Sequence, residues 1–181
     1  ASRVDSFATY VGTLEGDAQA EALSWLGVLH ASRGEHEAAA EAHRGAVTLA
    51  EERLPGRSVS ALLTLFGEQD NTRGLIALKE LQASYAQEPE TKRDLLLEVA
   101  TLYRETILDP DRALEQLGEV LAVDEFCVEA QRDYGELLFD AGRFPEAVDW
   151  LTRFVDTGGE LVEVDHVKRL AYALRNLGRF D

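Results

Sequence analysis

Three of the four histidines in this 181-residue chain, His30, His36 and His43, fall within one short stretch. Histidine is the commonest metal ligand, and a zinc site needs about three or four ligands that converge at about 2 Å from the ion. In a helix, His36 and His43 would lie about two turns and about 10 Å apart along the axis, too far for one ion to bridge. Metal binding by these histidines is therefore a remote alternative, and the sequence predicts no metal ion and no other cofactor.

Other catalytic patterns are missing from the sequence. His36 is followed by a glutamate, but Ala40 stands where a zinc protease needs its second histidine. No glycine-rich loop with a lysine is present to hold phosphate groups. Cys127 is the single cysteine, has no histidine near it in the sequence, and is expected to be a buried thiol. The chain is therefore predicted not to be an enzyme.

The chain is strongly acidic, with 34 aspartates and glutamates against 18 lysines and arginines, and a net charge of −16. Phosphate binding needs clustered basic residues, so no nucleic-acid partner is expected. The acidity favours a partner protein or peptide of basic character, and solubility alone is the alternative explanation. No apolar run approaches the roughly 18 residues that indicate a membrane-spanning helix, so direct membrane insertion is not expected.

A short phrase recurs along the chain. Gly34-Glu35-His36-Glu37-Ala38-Ala39 returns as Gly142-Arg143-Phe144-Pro145-Glu146-Ala147 and begins again as Gly178-Arg179-Phe180-Asp181. The intervals are 108 and 36 residues, so the first is three times the second. In a chain with 45% hydrophobic residues and only four prolines, a recurrence near 36 residues is typical of a solenoid of stacked helix pairs. The sequence therefore predicts an all-α fold.

Apolar residues at helical spacing divide the chain into repeat units. In the first full unit, Ala39 and Ala46 lie on one predicted buried face, and Gly34 supplies the turn before that helix. In the third, Asp109 and Pro110 are typical of a helix N-cap and first helical residue. The predicted units are 1–20 (partial), 21–55, 56–90, 91–126, 127–160 and 161–181 (partial), within a single solenoid over residues 1–181.

These units resemble tetratricopeptide repeats, in which small and large residues alternate over about 34 positions in two antiparallel helices. The resemblance is strongest in the first and fourth full units, which share their small, aromatic and apolar positions. They are Leu26, Gly27, His30, Gly34, His36, Ala39, His43 and Ala46 in the first, and Gly135, Leu138, Gly142, Phe144, Ala147, Leu151 and Phe154 in the fourth. The resemblance implies a right-handed superhelical solenoid of about four repeats plus flanking helices. It also explains the clustered histidines, which all stand at aromatic packing positions.

The third unit departs from this pattern. One small anchor residue of the second helix recurs at spacings of 35, 39 and 34 residues, at Ala39, Gly74, Ala113 and Ala147. We therefore expect about one extra residue before Ala113 and a few more over 88–94. The first helix of this unit is predicted over 91–108.

The resemblance implies a concave groove, lined by the first helix of each unit, that binds a peptide or a protein surface. Carried over position by position, the expected partner-binding residues are Val28, Leu63 and Phe66 towards the amino terminus, and Arg104, Arg132, Glu136, Phe139, Lys168, Tyr172 and Arg175 towards the carboxyl terminus. A peptide with an apolar end and an acidic end would match this order. The alternative for Arg132 and Glu136, four residues apart, is that they pair with each other.

The predicted function is a scaffold or adaptor module for protein–protein interaction. The alternative is a regulatory or targeting module attached to a catalytic domain outside residues 1–181. The repeat that begins at Gly178 leads us to expect a segment of a longer protein, in which the alternative is that the last helix is itself a cap. Self-association through the terminal repeats is a further hypothesis. Repeats of this kind occur in the cytosol and in bacterial envelope assemblies, and the cytosol is slightly favoured.

Overall fold

The computed structural model describes residues 3–178, and these residues form α-helices joined by short turns, with no strand among them. The expected all-α fold is thus confirmed, whereas Arg179, Phe180 and Asp181 of the third repeat phrase lie outside the described residues. The helices are α1 Arg3–Val11, α2 Gly16–Ser32, α3 His36–Thr48, α4 Gly56–Glu68, α5 Thr72–Tyr85, α6 Pro89–Leu102, α7 Pro110–Val123, α8 Val128–Asp140, α9 Phe144–Thr157 and α10 Val164–Asn176.

The helices group into two compact units that divide between Tyr85 and Ala86. The first unit contains α1 to α5, and α2 packs closely against α3. The second unit contains α6 to α10, in which α6 pairs with α7 and α8 pairs with α9. Consecutive pairs also touch, because α3 packs against α4, α7 against α8 and α9 against α10. Each unit is therefore built from helical hairpins stacked side by side.

The turns inside two hairpins have the geometry that the recurring phrase predicts. Gly34 has a φ of +76° and Gly142 a φ of +74°, a left-handed conformation that costs glycine nothing sterically. The next residue reaches back over each turn, since the Glu35 amide donates to the His30 carbonyl at 3.0 Å and the Arg143 amide to the Leu138 carbonyl at 2.9 Å. This pattern satisfies carbonyl groups that the helix end would leave without partners.

The core of the second unit lies between its hairpins. Leu114, Leu138, Ala147 and Leu151 form one buried cluster, and the Phe154 side chain is also fully buried. Tyr134 and Trp150 close the edge of this core with ring centres 5.5 Å apart in a T-shaped arrangement. In the first unit, the corresponding cluster is Val47, Val59, Leu62 and Leu78.

In the two hairpins that best match the repeat pattern, α2–α3 and α8–α9, the helices approach each other closely at a glycine. A Cβ atom built on Gly27 of α2 would lie 2.6 Å from the His43 ring of α3. A Cβ atom on Gly135 of α8 would lie 3.0 Å from the Leu151 side chain of α9. The buried His43 ring is also held by a 3.0 Å hydrogen bond between its Nδ1 and the Ser58 hydroxyl. His43 therefore takes the packing place that Leu151 takes in the later hairpin.

The extra residue of the third repeat is absorbed in a π-helical turn. The first helix predicted over 91–108 begins earlier, at Pro89, and its α-helical part ends at Leu102. A π-helical turn then spans Tyr103–Ile107, and Leu108 ends it with a φ of +60°. A π-helical turn is one residue wider than an α-helical turn, so it takes up an insertion without unfolding the helix. The predicted start of α7 is confirmed, because the Asp109 carboxylate accepts from the Arg112 amide at 3.1 Å.

The close approach at Gly27 generates a stability prediction. Gly27→Ala places a methyl group inside the His43 ring contact, and overpacking outweighs the gain in helix propensity, so we expect a net loss of about 1–2 kcal/mol in the free energy of unfolding. Gly67→Ala on α4 is the matched control, since its Cβ would meet nothing within 4 Å. That change should gain up to about 1 kcal/mol. Urea unfolding of both variants checks the prediction, and equal effects would contradict it.

Candidate functional site

A polar cleft with a volume of about 440 Å³ lies in the second unit. It is built by the π-helical turn, the middle of α8, the start of α10 and the turn before α10. These elements bring together Arg104, Glu105, Arg132, Asp133, Glu136, Glu160, Leu161, Glu163 and His166. Three of the expected partner-binding residues, Arg104, Arg132 and Glu136, therefore share one cleft.

Asp133 forms the floor of this cleft. Only 7% of its side chain is exposed, and it accepts from both arginines, at 2.7 Å from Arg104 Nη1 and 2.7 Å from Arg132 Nε. The hydrogen bond to Asp133 raises the pKa of Arg132. Burial alone would lower the pKa of Arg104, but its interactions with Glu105 and Asp133 outweigh burial and raise it. Both guanidinium groups thus stay charged and are held in place by one buried carboxylate.

The opposite wall is formed by Glu136 and His166. The Glu163 amide donates to His166 Nδ1 at 2.9 Å, and the Glu163 side chain accepts from the His166 amide, which makes a capping box at the start of α10. Because Nδ1 accepts a hydrogen bond, the ring proton is assigned to Nε2. Nε2 lies 3.5 Å from Glu136 Oε1. The ring also meets Phe154 edge to face at 5.0 Å, so it is fixed on three sides.

The cleft carries more negative than positive charge. Its five carboxylates are Glu105, Asp133, Glu136, Glu160 and Glu163, and its two guanidinium groups are those of Arg104 and Arg132, which leaves a formal charge of −3. The arginines are already engaged by Asp133 and, for Arg104, by Glu105 at 2.8 Å. This balance favours a cationic group, and the acidic peptide end expected from the sequence stays a prediction. Arg132 pairs with Asp133 rather than with Glu136.

An aromatic cluster lies next to the cleft. Phe139, Phe144 and Tyr172 meet in T-shaped contacts, with ring centres 5.6 to 6.0 Å apart. Tyr172 keeps 50% of its surface exposed. Arg169 connects the two features, since its guanidinium lies 5.4 Å from the Phe139 ring centre and its Nε lies 3.8 Å from Glu136. The structure thus brings together Phe139 and Tyr172 from the predicted set.

The other two predicted residues of α10 lie at the surface. Lys168 is exposed and pairs with Asp165 at 2.8 Å, and Arg175 is exposed near the end of the helix. Neither belongs to the lining of the polar cleft. They stay predictions as partner-binding residues.

The predicted residues of the first unit differ in exposure. Val28 is exposed on α2. Leu63 and Phe66 are half-buried and pack against the core cluster of that unit, so part of each side chain is engaged in the core. Trp25, which the repeat positions did not single out, is 47% exposed and lies 3.9 Å beneath the Arg57 guanidinium. An aromatic residue covered by arginine is a surface feature that periodicity alone does not reveal.

The histidines and the cysteine have local structural partners. His30 Nδ1 lies 2.5 Å from Glu35, and this hydrogen bond lowers the pKa of Glu35. His36 is exposed and lines an apolar cleft of about 320 Å³ in the first unit. Cys127 is buried as predicted, and burial raises the pKa of its thiol. Within residues 3–178, no group of three or more metal-binding side chains converges, and no helix there is long and apolar enough to cross a membrane.

Comparison with known proteins supports the resemblance to tetratricopeptide repeats. Residues 107–160 match the model of the tetratricopeptide repeat family. The chain is similar to the solved structure of PilF from Pseudomonas aeruginosa, with 15% identity, a TM-score of 0.54 and coverage of 88% of this chain and 69% of that one. It is also similar to YrrB, described as a TPR protein with an unusual peptide-binding site, with 15% identity, a TM-score of 0.53 and coverage of 98% and 87%. Curated protein sequences contain no match. These findings confirm the resemblance and the fold.

Asp133 and His166 are residues of the cleft that the repeat positions missed. Asp133 sits on the buried side of α8, where a carboxylate needs partners. The signal for Asp133 in the sequence was a charged residue at a position that helical spacing places on the buried side of the helix. The signal for His166 was its place three residues after Glu163 at a helix start, the spacing of a capping box.

The buried carboxylate of Asp133 predicts a larger loss of stability on substitution than an exposed carboxylate does. Asp133→Asn keeps the shape of the side chain but leaves the half-buried Arg132 without its carboxylate partner and Arg104 with only the exposed Glu105, so we expect a loss of about 2–4 kcal/mol in the free energy of unfolding. Asp140→Asn is the matched control, because its exposed carboxylate pairs with Arg169 and should contribute less than about 1 kcal/mol. Urea unfolding measures both. If Asp133→Asn lowered the free energy of unfolding no more than Asp140→Asn, the charge of Asp133 would not be what holds Arg104 and Arg132 in place.

The buried imidazole of His43 predicts a pH dependence. Burial lowers the pKa of His43, so the unfolded chain takes up this proton at a higher pH than the folded chain. The free energy of unfolding should therefore fall as the pH drops through about 6.5, the ordinary pKa of histidine, towards the lower folded-state value. His43→Leu, which copies Leu151 in the later hairpin, should remove this part of the slope, whereas His36→Gln at an exposed position should not. Chemical unfolding across this pH range tests the difference, and parallel slopes for His43→Leu and the parent would exclude His43.

Proposed function

We propose that this chain, whose fold is that of tetratricopeptide repeat proteins, is a protein-interaction module that binds a basic segment of a partner protein in the cleft between the π-helical turn, α8 and α10. The observation that carries the proposal is the preformed cleft itself, with a formal charge of −3 above a buried Asp133. A protein built around this site would present a surface and carry out no catalysis.

The geometry supports a cationic guest. Glu136, Glu160 and Glu163 border the cleft, and carboxylates that are already placed accept charge-assisted hydrogen bonds from lysine or arginine without rearranging. Asp133 and its two arginines form a rigid base. The guest therefore meets an ordered site, which lowers the entropy lost on binding.

The aromatic cluster supports an additional contact beside the charged one. Tyr172 of α10 and Phe139 of α8 lie beside the charged residues of the cleft. Arg169 contacts both Phe139 and Glu136. An aromatic face takes an apolar side chain or a second cation. A partner segment with one basic residue followed by an apolar or basic residue would use both features.

The charge of the whole chain supports the same class of partner. A net charge of −16 attracts basic proteins over a range of about 8 Å at physiological salt and raises their association rate. Peptide binding has precedent in the fold, since YrrB is described as having a peptide-binding site. That likeness concerns the fold, so the proposal depends on the charges and contacts of this chain.

The proposal predicts selection of basic peptides by the cleft. We expect a random peptide library panned on the chain to return peptides rich in lysine and arginine, and Glu160→Lys to weaken the binding of a selected, fluorescently labelled peptide by about tenfold or more because it places a cation in the cleft. The exposed Glu160 is chosen because reversing its charge leaves Asp133 and the arginines in place. Fluorescence anisotropy titrations give the affinities.

Glu119→Lys on the exposed face of α7 is the control, because it changes the net charge equally at a position outside the cleft. Recovery of acidic peptides would overturn the proposal. Equal weakening by Glu160→Lys and Glu119→Lys would show that only the overall charge attracts the peptide, which also argues against the cleft.

A further inference from the structure

The helices α2, α3 and α4 of the first unit correspond to α8, α9 and α10 of the second at an interval of 108 residues. Helix α3 begins at His36 and α9 at Phe144, while α4 spans Gly56–Glu68 and α10 spans Val164–Asn176. In both units the second helix of the hairpin also packs against the helix that follows it. Residues 108 positions apart in the sequence therefore occupy equivalent places in the two units.

The second unit fills one of these places with its own side chains. Phe139 of α8, Phe144 of α9 and Tyr172 of α10 meet there, with ring centres 5.6 to 6.0 Å apart. The guanidinium of Arg169 lies against the same cluster, 5.4 Å from the Phe139 ring centre. Three aromatic rings and one cation thus occupy the place where the three helices meet.

The first unit has smaller side chains at the equivalent positions. Ala31, His36 and Thr64 stand 108 residues before the three rings, and Ala61 stands 108 residues before the arginine. All four line the apolar cleft of about 320 Å³ between α2, α3 and α4, which we call the first-unit cleft. Two rings and the cation of the second unit are thus missing here, and an imidazole replaces the third ring.

The lining of the first-unit cleft suits an aromatic ring. Ala39 and Ala40 contribute only methyl groups, and Leu62 and Leu65 supply further apolar surface. The exposed imidazole of His36 can meet a ring edge to face, as Phe144 does in the second unit. The volume is near the lower end of the range of about 300–1,000 Å³ found for small-ligand sites, so the cleft takes a side chain and not a whole peptide.

The charge beside the first-unit cleft is negative. Glu68, the last residue of α4, lines the cleft, is exposed and makes no ion pair with another residue in the described range 3–178. The C-terminal end of a helix adds partial negative charge at the same point. No lysine or arginine belongs to the lining, so the carboxylate is available to a cation that comes from outside the chain.

We propose that the first-unit cleft binds a segment of a partner protein in which an aromatic side chain is flanked by lysine or arginine. The ring takes the place that Phe139 and Tyr172 take in the second unit. The basic group takes the place of Arg169 and pairs with Glu68. The first-unit cleft thus receives from the partner what the second unit supplies from its own chain, and it is a second binding site besides the polar cleft of the second unit.

An NMR titration of amide chemical shifts with the peptide acetyl-Gly-Lys-Phe-Lys-Gly-amide tests the proposal. We expect the shifts of the first unit to concentrate at Ala31, Ala40 and Thr64. Alanine in place of the phenylalanine removes the ring from the peptide and should weaken binding there about tenfold or more. Glutamates in place of both lysines should also weaken it. Glu68→Lys should reduce this preference for lysine about tenfold, whereas Glu119→Lys, which changes the net charge equally outside the first-unit cleft, should not.

A double variant, Ala31→Phe with Thr64→Tyr, copies the aromatic cluster of the second unit into the first-unit cleft. It should weaken binding of the peptide about tenfold or more, because the place of the guest ring is then occupied. It should also raise the melting temperature by about 2–4 °C, since the new rings pack on apolar surface. Ala77→Phe on the exposed side of α5 adds a ring outside the first-unit cleft and should change neither quantity.

Three outcomes overturn the proposal. They are the absence of shifts in the first unit at millimolar peptide, equal binding of the alanine peptide, and full binding by the double variant. Shifts confined to the second unit overturn it as well, while they support the polar cleft there. Because the amide shifts show where the peptide lies, the two sites are tested independently of each other.

Discussion

The hairpins α2–α3 and α8–α9 each close at a point where one helix has no side chain. His43 lies on Gly27 and Leu151 on Gly135, with the same separation of 16 residues in the sequence. A close backbone approach at one point sets the rotation of both helices about their axes, because the large side chain can enter only there. The rotation of α8 in turn decides that Leu138 points into the core and that Glu136 points into the cleft. The binding surface is thus a consequence of the packing on the other side of the helix.

The third repeat shows how an irregularity becomes part of the site. One extra residue would rotate everything after it by about 100° if the helix stayed regular. The π-helical turn Tyr103–Ile107 absorbs that residue, so α7 begins at Pro110 in register with the later hairpin. Arg104 lies inside the widened turn, and from there it reaches Asp133 on α8 at 2.7 Å. The insertion therefore shapes the cleft as well as interrupting the repeat.

The sequence predicted the features that depend on periodicity and turn chemistry. The all-α fold, the turns at Gly34 and Gly142 and the N-cap at Asp109 follow from single residues whose conformational preferences act locally. Arg104, Arg132 and Glu136, which the repeat positions assign to the groove, also line one cleft, because repeat positions carry over from one hairpin to the next. Their role in binding a partner stays a prediction. The ion pairs could not be predicted in the same way, since the pairing of Arg132 with its neighbour Asp133 rather than with Glu136 depends on side-chain conformation within α8. The same limit applies to the expected acidic peptide end, because that expectation counted arginines without knowing their partners. Counting arginines without their partners overestimates the positive charge that a ligand meets.

Helix α10 has one side towards the cleft and one exposed apolar side. His166 and Arg169 point towards α8 and the cleft, while Val164, Val167 and Ala171 lie on the opposite side at helical spacing. A helix exposed along one side loses its last turns more easily than one that is covered on both sides. Any helix that covers Val164, Val167 and Ala171 would therefore hold the capping box of Glu163 and His166 more firmly, and with it one wall of the cleft. Affinity for a basic segment and coverage of α10 should then rise together, because the same ordering of α10 serves both.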